Sequence, residues 1–262
     1  REIIMGQEFK GKKILITGAS KGLGKAAAIA FEKEGANLAL AARSEDKLDL
    51  LTNSFLKKDK HLSFNFDLLE TKNIKTLTDT ILKKWKSIDV ILHCVGGSLG
   101  VNETLVEWDD FIKCLNGNIG IASEINRQLV PSMKERNSGS IIHVGSIVSY
   151  EAVASVPYST SKAALSGYVR TLGIELAEDG LIVSGILPGA FYGDDNAMFR
   201  YEYYKPEEYK KFVKSLPQGR MPHAEEYVPM LFMLSNPKSK IMSGSLISMD
   251  GAQGRAIYNY AM

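Results

Sequence analysis

Cysteine and histidine are scarce in this chain: Cys94 and Cys114 are the two cysteines, and His61, His93, His143 and His223 the four histidines, among 262 residues. Two thiols make no disulfide framework. Neither they nor the histidines stand at metal-ligand spacing, so no metal is expected and the cysteines read as buried free thiols. Charge of one sign is missing too. Lys+Arg 32 against Asp+Glu 30 leaves a formal net charge of +2, with the lysines dispersed, which supplies no field for nucleic acid or an anionic membrane. No apolar run approaches the roughly 18 residues of a spanning helix. The N-terminus has no signal-peptide pattern, so the expectation is a cytoplasmic protein without a membrane span. Repeats, low-complexity tracts and proline-rich linkers are absent, and nothing divides residues 1–262 into more than one domain.

What is present is a regular alternation. Apolar, strand-like runs and helical stripes follow one another from residue 12 to about residue 187, as a parallel sheet covered on both faces requires. Ile74, Leu77, Ile81, Leu82 and Trp85 make one such stripe, and the residues over 107–134 another. The fold class expected is α/β, a doubly wound parallel sheet of Rossmann type.

Two sites in that frame imply chemistry. The first is Tyr158-Ser159-Thr160-Ser161-Lys162, with Ser146 twelve residues upstream at the end of an apolar run. Four-residue spacing on a helix puts phenol and ammonium on one face, one turn apart. A phenol titrates near 10 in water, and a proton shuttle at neutral pH needs a cation to favour its ionised form. A unit charge at about 4 Å and an effective dielectric of about 20 is worth roughly 4 kcal/mol, so Lys162 is expected to lower the Tyr158 pKa by about three units. A solitary pair at this spacing is usually a packed tyrosine beside a solvated lysine; the case rests on what accompanies it. The second site is Thr17-Gly18-Ala19-Ser20-Lys21-Gly22-Leu23-Gly24, which follows the strand-like Lys12 to Ile16 and precedes a helical pattern over 25–34. Glycines there permit a tight turn and bring backbone N–H groups and a helix N-terminus to a pyrophosphate.

Together, in this order, these sites resemble the short-chain dehydrogenase/reductase family, over residues 10–254. The resemblance implies further landmarks. Asp67 and Leu68, after a strand over 61–66, match the pair beside the adenine. Asn118, thirteen residues before Pro131, matches an asparagine that kinks a helix and holds a water for proton return; Asn116 is the alternative register. Gly96 lies where the backbone passes a ribose, Ser146 where the family places its serine, and Pro188-Gly189 where a turn closes over the nicotinamide. Ser248 to Gly251 matches the exit of the last strand. The family also implies a homodimer or homotetramer through helices at 107–134 and 155–178. Three departures stand out: His93-Cys94-Val95-Gly96 replaces Asn-Asn-Ala-Gly, Ser184 replaces an asparagine, and Gly193 stands where a threonine is usual. The first is expected to change how the central sheet is braced, without loss of catalysis.

At the end of the second strand the chain offers Ala42, Arg43 and Ser44 where a cofactor lacking the 2′-phosphate would call for a carboxylate. Arg43 with Lys21 favours NADP(H), since guanidinium and ammonium pair a phosphate that a carboxylate would repel. Ser44 also suits the N-cap of a helix over 44–56. The expected activity interconverts a carbonyl and a secondary alcohol. Gly18, Ser20, Lys21, Gly22, Leu23, Gly24, Arg43, Ser44, Asp67, Leu68, Gly96, Tyr158, Lys162, Pro188 and Gly189 would hold the cofactor. Asn118, Ser146, Tyr158 and Lys162 would carry the chemistry. A variable loop at 190–220, rich in Asp194, Asp195, Asn196, Tyr201, Tyr203, Tyr204 and Lys205, would face the substrate, with Tyr192 and Arg200 joining Ser146 and Tyr158 as its contacts. That polar loop points to a small polar, sugar-like or phosphorylated carbonyl compound; the frequency of activities in the family points to a 3-oxoacyl thioester. The rival from another class is a cofactor-binding sensor or scaffold without turnover, which would have no use for Tyr158.

Overall fold

A computed structural model describes residues 8–255 of the chain. Seven parallel strands form one sheet in the order β3-β2-β1-β4-β5-β6-β7: β1 Lys13–Thr17, β2 Asn37–Ala42, β3 Leu62–Asn65, β4 Val90–His93, β5 Gly139–Val144, β6 Leu181–Pro188 and β7 Leu246–Met249. Both faces are covered, so β1, β2, β4 and β6 are buried almost along their whole length, whereas the edge strand β3 alternates buried with exposed residues. Ile14, Ile16, Leu38 and Leu40 pack on one side with Phe31 of α1 (Gly22–Lys33). Leu15, Ala39, Ala41 and Ile91 pack on the other with Ile74, Leu77 and Ile81 of α3 (Thr71–Trp85). The remaining early helix, α2 (Glu45–Asn53), begins after Ser44, whose hydroxyl makes no capping hydrogen bond although it holds the N-cap position.

Strand order reverses between β1 and β4, which pair with Thr17 opposite His93. A crevice at the carboxyl ends of the strands is the expected ligand site at such a switch point. Elements that deliver side chains there are α4 (Trp108–Leu115), α5 (Ile121–Lys134) and α6 (Val156–Glu175).

The helix expected over 107–134 is interrupted. Residues Asn116–Gly120 form a π-turn, with Ile121 N–H donating to the Asn116 carbonyl five residues back. Asn118 supplies the physical reason, because its Nδ2 donates to the Cys114 carbonyl at 2.9 Å and so takes an acceptor of the α-helical ladder. The 190–220 stretch is not a plain loop either. It carries α7 (Ala197–Tyr204) and α8 (Pro206–Ser215), after which α9 (Val228–Ser235) returns to the α1 side of the sheet. Among the described residues, no helix is long and apolar enough to cross a membrane.

Candidate active site

A cleft of ≈ 1190 Å³ runs along the carboxyl ends of the strands. Gly18, Ser20, Lys21, Gly22, Leu23, Gly24, Arg43, Ser44, Asp67, Leu68, Gly96, Ser146, Tyr158, Lys162, Pro188 and Gly189 all line it.

At the β1 end the chain turns sharply. Gly18 has φ +69°, and a Cβ on Gly24 would lie 2.3 Å from the Gly18 carbonyl oxygen, so neither position accepts a larger residue without movement of backbone. Thr17, which heads the glycine turn in the sequence without an expected role, pins β4 to it: its Oγ1 accepts from the N–H groups of Cys94 at 3.2 Å and Val95 at 3.4 Å. A hydroxyl ending an apolar strand was the available signal. Asp67 accepts from Leu69 N–H at 3.0 Å, which closes the turn after β3 and holds the carboxylate at the cleft wall.

At the β4–β5–β6 end Lys162 and Asn118 are buried, and Ser146 and Tyr158 are half-buried. Lys162 is 3% exposed and donates from Nζ to the Val144 carbonyl at 2.8 Å. Burial pushes its pKa down to about 8. Its ammonium lies 5.9 Å from the centre of the Tyr158 ring. Burial raises the Tyr158 pKa, and the hydrogen bond from Ser146 opposes that rise. The net shift is upward, contrary to the expectation that Lys162 draws the phenol down: the cation is itself desolvated and its hydrogen bond goes to a backbone carbonyl, and the Ser146 hydroxyl only offsets part of the rise. Ser146 also accepts from Val148 N–H at 3.3 Å.

Between the two registers for the asparagine, geometry separates Asn118 from Asn116. Asn116 is exposed, whereas Asn118 is 3% exposed and, without itself lining the cleft, bonds Gly97, which does. Its Oδ1 accepts from Gly97 N–H at 3.0 Å and its Nδ2 donates to the Gly97 carbonyl at 2.9 Å as well as to Cys114. Both amide hydrogens are thus taken, and the side chain clamps the segment after β4. A Cβ on Gly96 would meet Asn118 Oδ1 at 2.7 Å and Lys162 Nζ at 3.2 Å, which explains why glycine survives in the altered His93-Cys94-Val95-Gly96 run.

The changed bracing has a definite form. His93 Nε2 donates to Asn126 Oδ1 at 2.9 Å, a direction fixed because Asn126 Nδ2 donates to the Tyr168 hydroxyl at 3.1 Å. His143, opposite His93 in the sheet, stacks on it with ring centroids 4.7 Å apart. Both rings are held neutral by burial, His93 with a pKa pushed down to about 4. Among the described residues, both nitrogens of His143, Nδ1 of His93 and Oγ of Ser184 find no hydrogen-bond partner. Cys94 is half-buried at the cleft wall and Cys114 is buried; both are free thiols, Cys94 with its pKa pushed up to about 12 by burial. Among the described residues no group of His, Cys, Asp or Glu stands where it could hold a metal ion.

Of the other two expected substrate contacts, Tyr192 lies outside the cleft and Arg200 at its β1 end. Tyr192 turns away from the cleft and packs with Phe199, His223 and the cluster around Tyr209. Arg200 does line the cleft, but its neighbours are Asp195, with Nη1 3.8 Å from Oδ1, and Lys21 at the β1 end. Tyr203 and Tyr204 are 73% and 74% exposed. The reason is the strap that follows β6: it leaves the Ser146 end, crosses the cleft and packs on the glycine turn. Gly193 permits this, since a Cβ there would lie 3.0 Å from Gly22 Cα. Among the cleft residues on the segments after β4, β5 and β6 are the apolar Leu99, Val148, Val153, Met198 and Phe212. Gln253, also missed, holds the strap's root by accepting from Ala190 N–H at 2.7 Å.

Residues 12–202 match the short chain dehydrogenase family. The chain belongs to that family. It is 30% identical over 243 residues to a 3-oxoacyl-[acyl-carrier-protein] reductase of Buchnera aphidicola, covering 90% of this chain and 94% of that protein. A glucose 1-dehydrogenase of Gluconobacter oxydans is 29% identical over 93% of this chain and 92% of its own length. Among solved structures, L-sorbose reductase from Gluconobacter frateurii, complexed with NADPH and L-sorbose, superposes with a TM-score of 0.83 at 26% identity, covering 94% of this chain and 98% of that one.

Proposed function

We propose that this short-chain dehydrogenase is an NADP(H)-dependent reductase of a carbonyl carried on an apolar acyl chain, with Tyr158 as general acid. The observation that carries the reading is one cleft joining a glycine turn at one end to Ser146, Tyr158 and Lys162 at the other. The lining fits the cofactor: Gly18 and Gly24 permit the tight turn whose backbone would meet a pyrophosphate, Gly96 and Gly189 line the cleft further along, and the end of β2 presents Arg43 in place of a carboxylate. The nicotinamide, when bound, supplies or accepts the hydride.

Everything else falls to the chain. Tyr158 gives its phenolic proton to the carbonyl oxygen in reduction and recovers it from the alcohol in oxidation. Ser146 donates its single hydroxyl proton to the same oxygen. Lys162 keeps donors to spare beyond Val144 and, beside Gly96, is placed to hold a ribose hydroxyl. Asn118 is a positioning residue that fixes Gly97 and so the wall of the cleft.

For the substrate, the polar loop loses its weight once Tyr192, Tyr203 and Tyr204 face away. Leu99, Val148, Val153, Met198 and Phe212 instead favour a hydrocarbon chain, in line with the 3-oxoacyl relative. A panel of carbonyl compounds with NADPH tests this. An acetoacetyl thioester should be reduced with kcat/KM at least roughly tenfold above that for L-sorbose or another ketose, as a few desolvated methylenes allow. The reverse order would return the substrate to the polar class.

A further inference from the structure

The strap that crosses the cleft brings its own charges to the β1–β2 end. Gly22 N–H donates to the Asp194 carbonyl at 3.1 Å, and the Asp194 carboxylate pairs with Lys25 outside the cleft. The next residue, Asp195, has φ +55° and lines the cleft itself. It pairs with Lys47 of α2, lies 3.8 Å from Arg200 Nη1, and accepts from that guanidinium on its backbone carbonyl at 2.7 Å. Lys21 shares the neighbourhood: burial lowers its pKa, Asp195 opposes this, and Arg200, Lys47 and Arg43 reinforce it. Lys47, Lys21 and Arg200 thus act on this one carboxylate, Arg43 adjoins them through Lys21, and all four cations line the cleft with Ser44, an excess of positive charge over the single carboxylate of Asp195 among them.

Such a cluster asks for a dianion. We propose that Asp195 stands in for the cofactor's 2′-phosphate: Lys47 and Arg200 complete, with Lys21 and Arg43, the counter-charge for that phosphate, and Asp195 yields them when the phosphate seats. This rests on the NADP(H) reading and extends it to two residues outside the glycine turn and the β2 end. It also assigns Arg200 to the cofactor rather than the substrate. A carboxylate and a phosphate cannot both keep the same cations without repulsion, so Asp195 makes the strap sense which cofactor arrives. An unphosphorylated cofactor leaves the Lys47–Asp195 pair intact.

Adenosine 2′,5′-bisphosphate and 5′-AMP isolate the question, because they differ by the phosphate alone and need no turnover. Calorimetric titration of the full chain gives their affinity ratio. Lys47→Ala and Arg200→Ala should each lower the ratio by roughly tenfold, the scale of one charge-assisted hydrogen bond. Asp195→Asn should raise it about threefold to fivefold, since the pairs it breaks are half exposed. Unchanged 5′-AMP affinity in each variant shows that the fold is intact. A ratio indifferent to Asp195→Asn, or lowered by it, overturns the stand-in; a ratio indifferent to both cation variants overturns their assignment. A wild-type ratio near one would instead sink the NADP(H) reading beneath it.

Discussion

At the β4–β5–β6 end of the cleft, Lys162 and Asn118 are each 3% exposed; at the β1–β2 end, Lys47 and Asp195 keep 44% and 38% of their side-chain surface in solvent. The same kinds of group thus work under different rules. Burial moves the Lys162 and His93 pKa values by units, and each buried group has one or two definite partners. Charges at the exposed end act as a set, none decisive alone, and water screens them. Substitutions should therefore act singly and strongly at the first end, and modestly and in combination at the second.

The largest effect should come from Lys162→Met. On the proposed chemistry, kcat/KM for carbonyl reduction falls by about two orders of magnitude or more. Stability should not fall with it, because a desolvated ammonium holding one carbonyl gives way to an apolar chain of similar length. Denaturant unfolding beside steady-state kinetics checks both. A variant that loses stability while keeping activity would invert the comparison.

Next in size is a pH effect from the stacked histidines. His93 is held neutral with a pKa of about 4, while an unfolded imidazole binds its proton near about 6.5. Between those values the unfolded chain carries more protons. Stability contributed by the neutral ring is complete above about pH 6.5 and falls by roughly 3 kcal/mol as the pH drops to about 4. Urea unfolding at several pH values measures this slope, and His93→Asn should flatten it. An unchanged slope in that variant would show that other groups carry the acid sensitivity.

A smaller effect belongs to the strap. Gly193→Thr restores the residue usual in the family, but its Cβ would stand 3.0 Å from Gly22 Cα and 3.3 Å from the Ala224 Cβ. The strap must shift, at a cost of about 1 to 3 kcal/mol, and cofactor affinity should weaken. A variant as stable as the parent would mean the strap is not seated on the glycine turn.

The comparison also explains what could be read in the sequence. Glycine spacing, the apolar runs and the Tyr158–Lys162 interval are local patterns, and each maps directly onto a turn, a strand or one helix face. Asn118 could be counted to within two residues, but only its bonds to Gly97 and Cys114 show that the side chain is committed to clamping and that the helix passes through a π-turn there. The His93–Asn126–Tyr168 chain joins residues far apart in sequence, as does the seating of Asp194 and Asp195 on α1 and α2. Polar residues in the 190–220 stretch gave no sign of which wall they would face, and direction, more than composition, decides whether a residue meets substrate, cofactor or solvent.

Tyr158→Phe tests the central claim most directly. Removing one hydroxyl leaves the ring in place, so NADPH should bind with its dissociation constant changed less than about twofold, while turnover should fall by roughly three orders of magnitude. Equal turnover in the two proteins, with NADPH bound equally well, would contradict the assignment of the phenol as the proton donor.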